Sequence, residues 1–191
     1  MKKWMSCAVA LMVVAAMASA TSITNAVEKG EGWTNLGGGW FSATAGGLTA
    51  EAGAKFWQAI GSENNRGAWK LFSDTFATEE LQVTYFVGDR NDRTLVVPGA
   101  SLFADTNEDN LYQFTERITP DSTSRPAPAS GWEEWVDTYT IDATTQTVGG
   151  DSVLGKKIGF VIVKKLEGGG TGYAFDSLSI IPEPAGMDLS I

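Results

Sequence analysis

Leu81-Gln82-Val83-Thr84-Tyr85-Phe86-Val87 is followed at once by Gly88-Asp89-Arg90-Asn91-Asp92. In the first stretch Leu81, Val83, Tyr85 and Val87 share one face at a period of two, which predicts a half-buried β-strand. The second is built from residues that accept left-handed backbone angles or cap them with side chains, which predicts a turn. The same rhythm spreads outward in both directions. Short runs rich in β-branched and aromatic residues, bounded by Gly, Pro, Asn and Asp, fall at 68–76, 101–104, 111–118, 132–141, 157–164 and 173–180, the composition that a pleated surface favours. Residues 120–130 hold Pro120, Pro126 and Pro128 and are expected to form a long surface loop, because proline cannot donate to a ladder. The single helix candidate is a turn near 51–60. Seven to nine strands with turns every ten or so residues imply an all-β fold, a two-sheet antiparallel β-sandwich.

The first twenty residues run from Lys2-Lys3 through an Ala/Val/Leu/Met-rich core to Ala18-Ser19-Ala20. A basic start, a short apolar run and an A-x-A site mark a secretory signal peptide at 1–20. The apolar run is shorter than the ~20 residues a membrane-spanning helix needs. The protein is therefore expected to be exported, secreted or held on the outer cell surface. The chain of 191 residues has no His and one Cys, Cys7, inside that signal. Past the signal no Ser-His-Asp or Cys-His catalyst, His/Cys zinc site, disulfide or His/Cys-ligated haem can be built. Removing Lys2 and Lys3 leaves 12 basic against 23 acidic residues, a net of −11. Such a surface repels phosphate backbones, so no nucleic-acid partner is expected. Surplus acid keeps an exported protein soluble, and its sharper use is divalent cation binding.

Six tryptophans follow the signal: Trp33, Trp40, Trp57, Trp69, Trp132 and Trp135. Sugars stack their apolar faces on exposed aromatics while amides and carboxylates hold their hydroxyls. Trp57 with Asn64 and Arg66 makes one candidate ligand-binding platform, and Trp132 after the proline-rich loop makes another. Trp69 and Trp135, on alternating strands, are expected in the core. Asp105-Thr106-Asn107-Glu108-Asp109-Asn110 with Glu116 matches an EF-hand loop at its first, third, fifth and twelfth positions. The flanks read as strand and turn rather than helix, so an acidic turn is the expectation there. Glu133 and Glu134 are adjacent, face opposite sides of a strand and cannot flank one glycosidic bond; a pair from distant strands, such as Glu116 with Glu133, is left open by the sequence. No catalytic residue is assigned.

The closing run Gly172-Tyr173-Ala174-Phe175-Asp176-Ser177-Leu178-Ser179-Ile180 resembles the last strand of galactose-binding-like jelly rolls, the fold of many carbohydrate-binding modules. Pro182-Glu183-Pro184 behind it resembles the sorting signal of exosortase-processed, PEP-CTERM proteins. The resemblance implies a jelly-roll domain over 21–181 and a short tail over 182–191. That family's signal continues into a membrane-spanning helix and a basic cluster; Met187-Asp188-Leu189-Ser190-Ile191 stands here instead, which weighs against membrane anchoring. The resemblance also implies a structural calcium (Ca2+) on Asp176, with Glu28 and Glu31 as further oxygen ligands. It points to a non-catalytic extracellular module whose partner is a polysaccharide or a cell-surface or biofilm matrix. The rivals are a purely structural exported protein without a ligand site and a carboxylate-dependent polysaccharide hydrolase or lyase.

Overall fold

The computed structural model describes residues 22–25, 27–28, 31–60, 66–95, 97–164 and 172–183. The expected signal peptide, Asn64 and positions 184–191 of the tail lie outside them. The strands are β1 (Ile23–Asn25), β2 (Thr34–Gly37), β3 (Gly39–Ser42), β4 (Thr44–Ala45), β5 (Leu48–Thr49), β6 (Phe56–Ile60), β7 (Gly67–Thr75), β8 (Glu79–Asp89), β9 (Pro98–Ala104), β10 (Ser122–Ser124), β11 (Gly131–Ile141), β12 (Lys157–Lys164) and β13 (Gly172–Pro182). The first sheet runs β10-β11-β8-β13-β6-β3, with β1 also on β13; the second runs β2-β7-β12-β9; β4 and β5 form a separate hairpin. All the strand pairs are antiparallel. From β6 to β13 the chain changes sheet at each connection except the β10–β11 hairpin. This is the two-sheet antiparallel β-sandwich that the alternation predicted, with the jelly-roll crossing that the resemblance implied.

The deciding stretch behaves as its period requires. Leu81, Val83, Tyr85 and Val87 are all buried in the inter-sheet core. Tyr85 lies edge-on to Trp135 at 5.8 Å and to Phe160 at 5.2 Å, and Phe160 stacks on Phe175 at 5.7 Å. Ring pairs of this kind are worth about 0.5–1.5 kcal/mol each beyond the area they bury. Trp69 and Trp135 are buried, as their strands implied, although Trp69 belongs to a smaller cluster with Phe103 and Val161.

Three local expectations are corrected. Residues 51–60 form no helical turn: 51–54 are bends, and Phe56–Ile60 is a strand whose residues are covered on both faces, so the two-residue period is hidden. Residues 111–118 hold a short 3₁₀ turn, Phe114–Glu116, instead of a strand. There the buried Glu116 carboxylate accepts from Thr106 N and Gln113 N, each at 3.1 Å, and such local bonds compete with ladder pairing. The proline-rich loop contains β10 between Pro120 and Pro126, a three-residue edge strand paired to β11; the prolines stay outside the ladder, as they must.

Candidate functional site

On β6 the side chains divide between two environments. Trp57 and Ala59 enter the inter-sheet core, whereas Phe56 joins an outer cluster with Leu48 and Ala174. Gln58, between them, lies on that outer face and meets Arg90. The strand register carries this outer face across the sheet as a single row. Trp132 pairs with Gly88, Gly88 with Ala174, Ala174 with Gln58, and Gln58 with Trp40. The row spans β11, β8, β13, β6 and β3, four strand spacings or ~19 Å. A tryptophan stands at each end, with a floor of small residues and one amide between them.

Glycine is required at Gly88. A Cβ there would lie 2.7 Å from Leu48 Cδ1 and 2.9 Å from the Trp132 ring. The bare backbone lets both side chains lie down on the floor.

Trp40 is 44% exposed. Gln58, its partner across β3 and β6, accepts from the Arg90 guanidinium, 5% exposed, which grips Asp92 with two bonds, Nε to Oδ1 at 3.1 Å and Nη2 to Oδ2 at 2.9 Å. The hydrogen bond from Arg90 holds the Asp92 carboxyl below its ordinary range, so it is ionised and open to solvent while its charge is matched. This end of the row offers an open indole face and a carboxylate rich in lone pairs, while Gln58, 2% exposed, spends its oxygen on Arg90 beneath them. Those groups can stack on a ring and accept from hydroxyls.

The structure separates the predicted ligand residues. Trp57 is fully buried, packed on Tyr173 at 5.5 Å, and its Nε1 donates to Asn35 Oδ1 at 2.6 Å. It is a core residue and offers no stacking face. Trp132 is half-buried on the row; its ring lies edge-on to Phe56 at 5.2 Å, and Nε1 donates to Thr49 O at 2.7 Å. Arg66 donates to Ile60 O and lies against Gly38, two residues before Trp40, so it braces the β2–β3 corner beside the open indole. Trp40 was not singled out in the sequence. The one signal for it is a glycine run, Gly37-Gly38-Gly39, ahead of a Trp-Phe-Ser alternation too short to assign a face.

Asp176 and Glu28 do converge, on residues 51–55. Asp176 is buried; Oδ2 accepts from Glu51 N at 2.7 Å and Ala52 N at 3.1 Å, and Oδ1 from Ser177 N at 2.8 Å. Burial raises the Asp176 carboxyl above its ordinary value, against the pull of those three amides. Glu28 Oε1 accepts from Ala54 N and, at 3.3 Å, Lys55 N. Glu31 is exposed, and its charge acts on Lys70. Among the described residues no three His, Cys, Asp or Glu side chains gather as cation ligands. N–H groups point at these carboxylates where a calcium ion would have to sit, and calcium asks for six to eight oxygens. The donor set does not fit the ion.

In the acidic window, Asp105 accepts from Asn110 N at 3.3 Å and Asp109 Oδ1 from Leu111 N at 2.8 Å. Asn110 sits in the left-handed region at φ 58°, where a calcium loop would place glycine. The segment is an acidic turn closed by its own hydrogen bonds. Glu116, half of the glycosidase pair left open in the sequence, is 2% exposed and committed to backbone amides.

No protein-family model matches the chain, and no curated protein matches it. Solved structures similar to it include the CBM22-1 xylan-binding domain of Xyn10C from Paenibacillus barcinonensis, at TM-score 0.48 and 16% identity over 86% of this chain and 95% of that one. A Stig cyclase from Fischerella sp. TAU is similar at TM-score 0.47 and 15% identity, over 87% of this chain and 77% of that one. The family 11 carbohydrate-binding module of a cellulosomal cellulase from Clostridium thermocellum is similar at TM-score 0.43 and 11% identity, over 86% and 88%.

Proposed function

We propose that the protein is a non-catalytic glycan-binding module that works outside the cell, on a polysaccharide or a surface matrix. The observation that carries this is Trp40, an open indole on the outer face beside the Gln58–Arg90–Asp92 network. A pyranose ring can stack on Trp40, and the ionised Asp92 carboxylate on the same face, already oriented by Arg90, can accept from sugar hydroxyls with little side-chain entropy lost. A hydrolytic role finds less support at this row. Burial raises two carboxyls, Asp176 and Glu79: Asp176 is buried and committed to amides, and Glu79 pairs with Ile141 at the other end of β8 from the row, whereas a general acid must reach the leaving oxygen.

The test is affinity electrophoresis on gels containing xylan, mixed-linkage β-glucan, galactomannan or soluble cellulose derivatives, with product analysis of the same mixtures. Retardation in at least one gel, weakened at least about tenfold in Kd by Trp40→Ala and without new reducing ends, is the expected result. New reducing ends would make the protein an enzyme. Free migration in every gel would leave the purely structural role.

A further inference from the structure

The middle of the tryptophan row is covered by the chain itself. Leu48, 3% exposed, sits over Gly88 and packs with Phe56, Ala174 and Trp132. It belongs to the β4–β5 hairpin, whose strands are two residues each. A two-stranded ribbon that short does not hold its shape alone. Its position comes from contacts that lie outside it: Trp132 Nε1 on Thr49 O at 2.7 Å, Asn91 N on Gly46 O at 2.9 Å, and the Glu51 and Ala52 amides on Asp176. On the far side Gly53, at φ 68°, occupies backbone space open to glycine, and Glu28 holds the following amides.

We propose that the β4–β5 hairpin is a lid over the binding row, with Leu48 occupying the place that the middle of an extended glycan chain would take. This rests on the glycan-binding reading of the Trp40 end. With the lid down, Trp40 and Asp92 form a short subsite over the buried Gln58–Arg90 pair. A chain long enough to run from Trp40 to Trp132 must lift Leu48 from Gly88, and gains the Trp132 face and the Gly88–Ala174 floor in return. The lid sets a length threshold: short oligosaccharides use the outer end alone, and long ones bind with their affinity reduced by the fraction of molecules already open.

The test compares the protein with its Leu48→Ala variant. Calorimetric titration with a disaccharide and a hexasaccharide of the xylan and cellulose series should show hexasaccharide affinity raised about tenfold or more in the variant. Disaccharide affinity should be unchanged. A variant that binds the hexasaccharide no better, or loses both ligands together, makes Leu48 a wall of the site and overturns the lid. Amide hydrogen exchange without ligand supplies a separate readout. Glu51 and Ala52 amides should exchange well before those of 81–87, and Leu48→Ala should speed the first pair alone. Exchange of both segments at one common rate would also overturn the lid. If neither oligosaccharide binds either protein while the exchange behaves as stated, the lid stands and the glycan reading fails.

Discussion

Asp137 and Asp176 are both 0% exposed and pair with β8 from opposite sides, Asp137 with Val83 and Asp176 with Phe86. Asp137 faces the inter-sheet core. Arg125 answers it with Nε to Oδ1 at 2.8 Å and Nη2 to Oδ2 at 2.7 Å, and Tyr85 donates to Oδ2 at 3.0 Å. Burial first, and the Asp137 charge next, hold the Tyr85 phenol far above its ordinary value, so it stays a donor. Asp176 faces outward and is answered by backbone amides, Glu51 and Ala52 from a loop and Ser177 from its own strand. The core site thus uses a full countercharge brought in by the proline-rich segment, which Arg125 also ties to Ala100 O at 2.8 Å. The outer site uses dipoles from the segment that carries the lid. A charge pair inside the sandwich fixes the fold, whereas a carboxylate with amide partners makes a fastening that can be undone.

Substitutions rank the two sites. Asp137→Ala leaves the Arg125 charge without its partner and should lower unfolding free energy by about 3–5 kcal/mol in urea titration; a loss smaller than that of Asp176→Ala would reverse the comparison. Asp176→Ala strands the amides of Glu51, Ala52 and Ser177 and should cost about 1–3 kcal/mol, with faster exchange confined to the lid segment. The next effect is one of pH. A carboxyl raised in the folded state binds its proton more tightly there than in the unfolded chain. Its favourable share of stability is therefore complete below the unfolded value of 3.8 and is lost as pH rises through the folded value. Asp176→Asn should remove that downward slope from thermal midpoints measured across the acid range, and an unaltered slope would assign it to other groups. The smallest change belongs to the surface pair of Lys156 and Glu108, 2.8 Å apart. Glu108→Gln should leave the thermal midpoint where it is, since exposed pairs contribute little.

Much of the fold was legible because one face of most strands is dry and the other wet. The run 81–87 and the strand Lys157–Lys164 announce themselves by period or by β-branched content. The errors fall where that contrast fails. Phe56–Ile60 is covered on both faces, by the core beneath and by Leu48 above, so its pattern carries no period. At 111–118, Glu116 spends its carboxylate on local amides, and a side chain's choice of partner is not written in hydrophobicity. The site was less legible than the fold for the same reason. Trp57 and Trp40 are both aromatic residues of short strands, and only the register that places one inward and the other outward tells a core ring from an open one. Trp132 was singled out from its place after the prolines, but its position in line with Trp40 depends on five strands pairing in register.

Strand β13 lies in the middle of the first sheet, between β8 on one side and β6 with β1 on the other. Among the described residues it is also the last strand in chain order. During synthesis β8, β11 and β6 emerge long before the segment that joins them, so the sheet cannot close until residues 172–182 are available. Until then β8 presents an unpaired edge bearing Val83, Tyr85 and Val87, the kind of surface that nascent β-proteins lose to aggregation. The contacts that complete the core are also among the most distant in sequence, which places this protein with the slow folders. A ribosome that holds back β13 therefore holds back the whole sandwich.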